Sequence, residues 1–113
     1  MTVEPFAGVP VTDYGAALAW YEKLLGAPPA LLPNDTEAVW GLGEGRWIYI
    51  EVRPGHAGHA MQTVFVDDFD ARLARIAERG LEPAHREACE NGVRKAVFHD
   101  PDGNETGFGG DPL

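Results

Sequence analysis

The chain has 113 residues, a formal net charge of −9 and a single cysteine, Cys89. This length fits one domain, the negative charge disfavours nucleic acid and anionic membranes as partners, and one cysteine excludes an intrachain disulfide or a cysteine-based zinc cluster. The first residues lack a signal-like apolar run and no segment is long enough to cross a bilayer, so we expect a cytoplasmic location.

The first half of the chain predicts one strand, one helix and three short strands. Apolar residues alternate over residues 6–11, where Pro10 marks an edge position or strand end because proline donates no ladder hydrogen bond. Asp13 is placed to cap a helix over residues 14–25, which Gly26 ends. Turn residues separate the remaining strands, predicted over residues 30–32, 37–42 and 46–53.

The second half of the chain repeats this order. Residues 11–19 and 66–74 resemble each other at a constant offset of 55, since 66 − 11 = 55, which is typical of a supersecondary unit copied within one domain. Asp68 is expected to cap the second helix and Gly80 to end it. Its strands are predicted over residues 60–66, 82–85, 93–99 and 105–109. We therefore predict one α+β domain, 1–113, built from two βαβββ modules, about 1–55 and about 56–113.

Three features together carry a resemblance to a known family. Val-x-Asp-x-x-Ala opens both helices at Val11 and Val66, Trp20-Tyr21 precedes Leu-Leu-Gly, and residues 98–104 read Phe-His-Asp-Pro-Asp-Gly-Asn. In this order, over nearly the whole chain, they resemble the vicinal oxygen chelate superfamily of glyoxalase I, bleomycin-resistance proteins and extradiol dioxygenases. The resemblance implies two modules that form a cupped, mixed β-sheet flanked by helices around a cavity, in a homodimer.

The resemblance also implies where a divalent metal ion would bind. Family enzymes use one ligand near the start of each module's first strand and one on each last strand. The equivalent positions here are Phe6, Tyr49, Met61 and Gly107. None of these suits a hard divalent cation, so we expect no metal and no other cofactor. The alternative is a displaced set for nickel, zinc, iron or manganese, formed two residues away on the same strand faces by Glu51, His59 and Glu105.

Strand alternation predicts an aromatic lining for the cavity. If Ile48 and Ile50 face the helices, the residues between them face the opposite side of the sheet. The predicted ligand-binding residues are Phe6, Trp40, Trp47, Tyr49, Glu51 and Met61. Ligand pockets are mostly apolar, and aromatic faces stack on flat molecules or attract cations.

Other polar residues predict structure rather than chemistry. His99 is interpreted as a strand-end residue, and Asp100 and Asp102 as turn formers beside Gly103, which takes a positive φ. With no catalytic residue assigned, we predict a metal-free binding protein of the bleomycin-resistance type that sequesters an aromatic or cationic metabolite or antibiotic. The alternative is a metal-dependent lyase, isomerase or dioxygenase of the same superfamily.

Overall fold

A computed structural model describes residues 2–111 as two helices and two four-stranded sheets. The elements in chain order are β1 (Phe6–Val11), α1 (Tyr14–Leu25), β2 (Leu31–Asn34), β3 (Glu37–Gly43), β4 (Arg46–Val52), β5 (Met61–Phe65), α2 (Phe69–Glu78), β6 (His85–Ala88), β7 (Arg94–His99) and β8 (Glu105–Gly110). The α+β class and the two βαβββ modules are confirmed. Residues 1, 112 and 113 of the predicted domain lie outside the described residues.

Two strands sit further along the chain than predicted. β6 begins only at His85, the last residue of the predicted strand 82–85, because Pro83 has no N–H to donate. Pairing with β7 starts at the Ala84 amide, which donates to the Val97 carbonyl at 2.7 Å. β2 runs through the predicted turn at Pro33 and ends only at Asn34, which pairs with Glu37. Proline is tolerated there because β2 is an edge strand.

Each sheet is mixed, with a parallel pair at one end. The strand orders are β1-β4-β3-β2 and β5-β8-β7-β6, in which β1 runs parallel to β4 and β5 parallel to β8. The edge position predicted for Pro10 is confirmed, since β1 pairs on one side only. Among residues 2–111 the two sheets share no hydrogen-bonded strand pair, so the modules associate through side chains and loops.

Both modules contribute to one buried cluster on the helix-facing sides of the sheets. Ile48 and Ile50 are 1% and 0% exposed, as strand alternation predicts, and Tyr21 and Ile76 of the two helices are fully buried beside them. Phe98 and Phe108 of the second sheet join the same cluster with ring centroids 6.0 Å apart. The opposite faces of both sheets remain open in the single chain.

The two helix starts differ although their sequences resemble each other. The Asp13 carboxylate accepts from the Ala16 amide at 2.9 Å, as predicted for a cap. Asp68 is not used in this way, since its carboxylate binds Arg72 at 3.0 Å and Arg75 at 2.8 Å instead. Hydrogen bonding to Arg72 holds the pKa of Asp68 below its ordinary value of 3.8. Neither α1 nor α2 is long and apolar enough to span a membrane.

Candidate ligand-binding site

Two aromatic rings stack on the open face of the first sheet. β1 and β4 pair in register with Phe6 opposite Trp47, and their rings lie 5.5 Å apart with planes 8° from parallel. The Trp47 Nε1 donates to the Glu4 carboxylate at 3.2 Å, which holds the indole in place. Half of the Phe6 side chain remains exposed, at 50%, so the stack presents a flat apolar surface outward.

Tyr49 adds a third ring to this aromatic face, because its neighbour on β1 is a glycine, which has no side chain to displace the ring. Tyr49 pairs with Gly8, and a Cβ built at Gly8 would lie 2.7 Å from both Cζ and Oη of the Tyr49 ring. Any larger residue at position 8 would therefore push the ring away from the sheet. The sequence places Gly8 on this face but gives no signal of its role in seating Tyr49.

Glu51 supplies the carboxylate at the end of the aromatic surface. It pairs with Pro10 in β1, and its Oε2 lies 3.8 Å from Nε of Arg53. The Arg53 side chain is 57% exposed, so the pair is weak and leaves the negative charge available to a ligand. A shallow pocket of about 90 Å³ lies here, lined by Gly8, Val9, Pro10, Tyr49, Glu51 and Arg53.

The open face of the second sheet has a different character. Met61 and Phe65 are 76% and 61% exposed on β5. Glu105, opposite Met61 in register, lies 3.5 Å from the His99 Nε2. Lys95 folds over the backbone of β8, so that its Cε would lie 2.7 Å from a Cβ at Gly107. This face therefore carries charged groups beside exposed apolar side chains, in contrast to the aromatic face of the first sheet.

Trp40 was predicted to line the ligand cavity with the other aromatic residues, but it does not lie on the aromatic face. It pairs with Ile48 and thus points to the helix side, where it is 2% exposed, and its Nε1 donates to the Ala27 carbonyl at 2.9 Å. The ring tilts against Tyr21 at 6.0 Å. Because strand parity fixes this orientation, Trp40 belongs to the core and not to the aromatic face. The other five predicted residues lie on the open faces, with Phe6, Trp47, Tyr49 and Glu51 together on the first sheet and Met61 on the second.

The positions at which family members hold a metal ion do not fit one here. Phe6 is stacked on Trp47, Tyr49 covers Gly8, and the Lys95 Cε lies only 2.7 Å from where a Cβ at position 107 would be. Within residues 2–111, no three His, Cys, Asp or Glu side chains are grouped so as to hold a metal ion. The displaced set is therefore not assembled in a single chain, since Glu51 lies on the first sheet and Glu105 on the second.

A buried polar network links the two modules where the end of β1 meets the turn between β7 and β8. The sequence did not predict the extent of this network. Asp100, 5% exposed, accepts from the Tyr21 hydroxyl at 2.8 Å and from the backbone amides of Asp102 and Asn104, both at 2.9 Å. Burial, followed by the Asp100 charge, raises the pKa of Tyr21 well above 10.0. The turn itself is as predicted, with Gly103 at φ 93°.

Asn104 extends the network across the contact. Its Nδ2 donates to the Pro10 carbonyl and to Asp100, each at 2.8 Å, and its Oδ1 accepts from the amides of Gly58 and Ala60, each at 3.0 Å. The side chain is 1% exposed, and all four of its bonds are made. The Asp-Pro-Asp-Gly-Asn motif therefore joins β1, the linker and β8, beyond forming a turn.

Two βαβββ modules, each with a mixed four-stranded sheet, define this chain as a small α+β protein with an internal repeat. The family model described as Glyoxalase/Bleomycin resistance protein/Dioxygenase superfamily matches residues 3–108. The chain belongs to this family. No curated protein sequence matches it significantly.

Solved structures place the chain among related folds. It is 58% identical to a glyoxalase/bleomycin resistance protein from Catenulispora acidiphila DSM 44928, with a TM-score of 0.94 over 98% of this chain and 100% of that one. A bleomycin-binding protein complexed with bleomycin is 20% identical, with a TM-score of 0.77 over 97% and 99% of the two chains. Lactoylglutathione lyase from Agrobacterium tumefaciens is 17% identical, with a TM-score of 0.76 over 96% and 92%. The last two likenesses show the fold alone and do not separate a binding protein from an enzyme.

Proposed function

We propose that this protein is a cytoplasmic, metal-free, small-molecule-binding protein that sequesters an aromatic or cationic metabolite or antibiotic. The observation that carries the proposal is the aromatic face of Phe6, Trp47 and Tyr49, which ends at the carboxylate of Glu51. Stacked and neighbouring aromatic rings bind flat ligands and attract cations through their faces. The fold shared with a bleomycin-binding protein supports a ligand of this kind.

Charge favours a cation at this face. The chain carries a formal net charge of −9, which raises the local concentration of small cations around it. Glu51 adds a specific negative group at the end of the stack, and its only ion-pair partner within residues 2–111 is the well-exposed Arg53. A planar cation can therefore stack on Trp47 while its charge approaches Glu51.

Exposed apolar side chains support a homodimer with the ligand between the two copies. Phe6, Met61 and Phe65 are 50%, 76% and 61% exposed on the open sheet faces. Large apolar groups clustered on an open face are typical of protein–protein or ligand contacts. A second copy that places the open face of its second sheet, which carries Met61, against the aromatic face would cover these groups and enclose a cavity.

The experiment is calorimetric titration of tag-free protein with N-methylquinolinium, a planar aromatic cation, and with uncharged quinoline at mildly alkaline pH. Trp47→Leu and Glu51→Gln should each weaken binding of the cation by on the order of 1 to 3 kcal/mol, as removal of a buried anchor does. Trp20→Phe is the matched control, because Trp20 packs edge-on against Tyr21 on α1, away from the aromatic face. Unchanged affinity in both Trp47 and Glu51 variants would remove these residues from the site.

Metal analysis of the same tag-free protein separates the proposal from the enzyme alternative. A pairing of two copies would bring Glu51 of one sheet toward Glu105 of the other, which is the arrangement a displaced metal set requires. Stoichiometric retention of nickel, zinc, iron or manganese that Glu51→Gln abolishes would contradict the metal-free proposal. We expect substoichiometric metal that is unaffected by that substitution.

A further inference from the structure

Because the two modules repeat the same fold, they meet at two equivalent places, where the end of each first strand approaches the turn before the other module's last strand. Only one of these two contacts is bridged by a hydrogen-bond network. Phe6 pairs with Trp47 and Met61 with Glu105, so β1 corresponds to β5 at an offset of 55 (61 − 6) and β4 to β8 at an offset of 58 (105 − 47). The closed contact is the network around Asp100, where the end of β1 meets the β7–β8 turn. Its counterpart lies where the end of β5 faces the β3–β4 turn.

The residues that close the first contact are replaced at the second. Thr12, Tyr21, Asp100, Asp102 and Asn104 correspond at these offsets to Asp67, Ile76, Leu42, Glu44 and Arg46. The Thr12 hydroxyl donates to Asp102 at 2.6 Å, whereas the corresponding pair is two carboxylates, which repel when ionised. The second contact therefore cannot close in the same way.

A cleft of about 630 Å³ opens at this second contact. This volume lies in the range of about 300 to 1,000 Å³ that small-molecule sites occupy. Its lining comprises Leu25, Ala27, Trp40, Gly41, Leu42, Arg46, Val64, Phe65, Val66, Asp67, Arg72 and Phe108. The lining contains none of Phe6, Trp47, Tyr49 and Glu51, so this cleft is distinct from the aromatic face of Phe6 and Trp47.

The lining carries two arginines, Arg46 and Arg72, and one carboxylate, Asp67. Arg72 lies 5.8 Å from the centroid of the Phe108 ring and is neutralised in part by Asp68 at 3.0 Å. Arg46 is exposed at the rim, and no carboxylate of residues 2–111 lies within ion-pair distance of it. A free guanidinium beside an apolar wall is suited to a carboxylate attached to a ring, which it binds through two parallel N–H donors.

We infer that this cleft binds a flat aromatic molecule that carries a carboxylate. The ring packs against the exposed apolar part of the lining, which includes Leu42 and Phe65, 37% and 61% exposed, and the carboxylate is held by Arg46. This site goes beyond the proposed function, since it shares no lining residue with the aromatic face and its ligand has the opposite charge. The two sites can therefore be tested in the same protein by separate signals.

The test is NMR titration with 1-naphthylacetate, with 2-(1-naphthyl)ethanol as the uncharged control and 1-naphthylmethylamine as the cationic control. The indole N–H signals report on separate places. The Trp40 indole donates to Ala27, which lines the cleft, whereas the Trp47 indole donates to Glu4 beside the aromatic face. Signals are assigned with Trp20→Phe and Trp47→Phe. We expect 1-naphthylacetate to shift the Trp40 signal and leave the Trp47 signal unchanged.

Arg46→Gln should weaken 1-naphthylacetate about tenfold, as loss of one charge-assisted contact does, and leave the alcohol unchanged. Arg86→Gln, at an exposed position on β6, is the matched control and should change neither affinity. Equal binding of acid, alcohol and amine, or a shift of Trp47 in place of Trp40, would overturn the inference. So would a Trp40 signal that moves with protein concentration alone, because the cleft would then be an interface between copies. If the cationic ligand does not shift the Trp47 signal, that result counts against the proposed function and does not bear on the cleft.

Discussion

Replacement of Asn104 by alanine tests whether the buried network holds the two modules together. The substitution removes four hydrogen bonds at once and leaves the amides of Gly58 and Ala60 and the Pro10 carbonyl without their partner. Each buried polar group left unsatisfied costs about 1 to 3 kcal/mol, and entry of a water molecule recovers part of that cost. We expect the free energy of unfolding to fall by roughly 3 to 5 kcal/mol, a large share of the 5 to 15 kcal/mol typical of a domain.

Urea unfolding followed by Trp fluorescence and by circular dichroism measures this loss. The matched control is Asn91→Ala, because Asn91 is exposed and its Oδ1 accepts only from the Val93 amide at 3.1 Å. That control should cost about 1 kcal/mol or less. The denaturant slope should stay the same in both variants, since the surface exposed on unfolding is unchanged. If Asn104→Ala costs no more than the control, the network does not stabilise the contact between the modules.

Two further substitutions test the buried tyrosine and the glycine under the aromatic face. Tyr21→Phe removes a donor from Asp100 and should cost about 1 to 3 kcal/mol at neutral pH. Because burial raises the Tyr21 pKa above 10.0 in the folded state, the wild type should lose stability as the pH rises beyond that value, and a pH series of urea transitions should show no such loss from this residue in the variant. Gly8→Ala would place a methyl group 2.7 Å from the Tyr49 ring and displace it. It should weaken N-methylquinolinium binding several-fold in calorimetry, whereas Gly55→Ala, whose added Cβ would meet no atom within 4 Å, should leave binding unchanged.

The two open sheet faces show how a repeated module acquires different surfaces. Trp47 of β4 and Glu105 of β8 occupy equivalent positions, as do Gly8 and Thr63 of the first strands. The first module therefore presents stacked rings, and the second presents a carboxylate beside a histidine and a lysine. A cavity formed between the two kinds of face would be aromatic on one wall and charged on the other, which suits a flat polar ligand better than a purely apolar one.

Local patterns determined the order and class of the elements. Alternation over β4 was enough to place Ile48 and Ile50 in the core and Trp47, Tyr49 and Glu51 outside it, because successive side chains of a strand point to opposite faces. Asp13 and Gly26 bounded α1 through local hydrogen bonding and a positive φ. These features depend on neighbours within a few residues, so the sequence alone specifies them.

Only the tertiary structure decided which distant residues meet. Trp40 and Trp47 are similar in sequence terms, yet the pairing of β3 with β4 turns one into the core and leaves the other on the open face. Likewise, the sequence shows Asn104 only as the last residue of the Phe-His-Asp-Pro-Asp-Gly-Asn motif. The approach of β1 and the linker is what makes it bridge one contact between the modules, whereas Arg46 stands at the equivalent position of the other contact, where the cleft lies. Contacts between residues that are dozens of positions apart depend on the packing of whole modules, which no local pattern in the chain encodes.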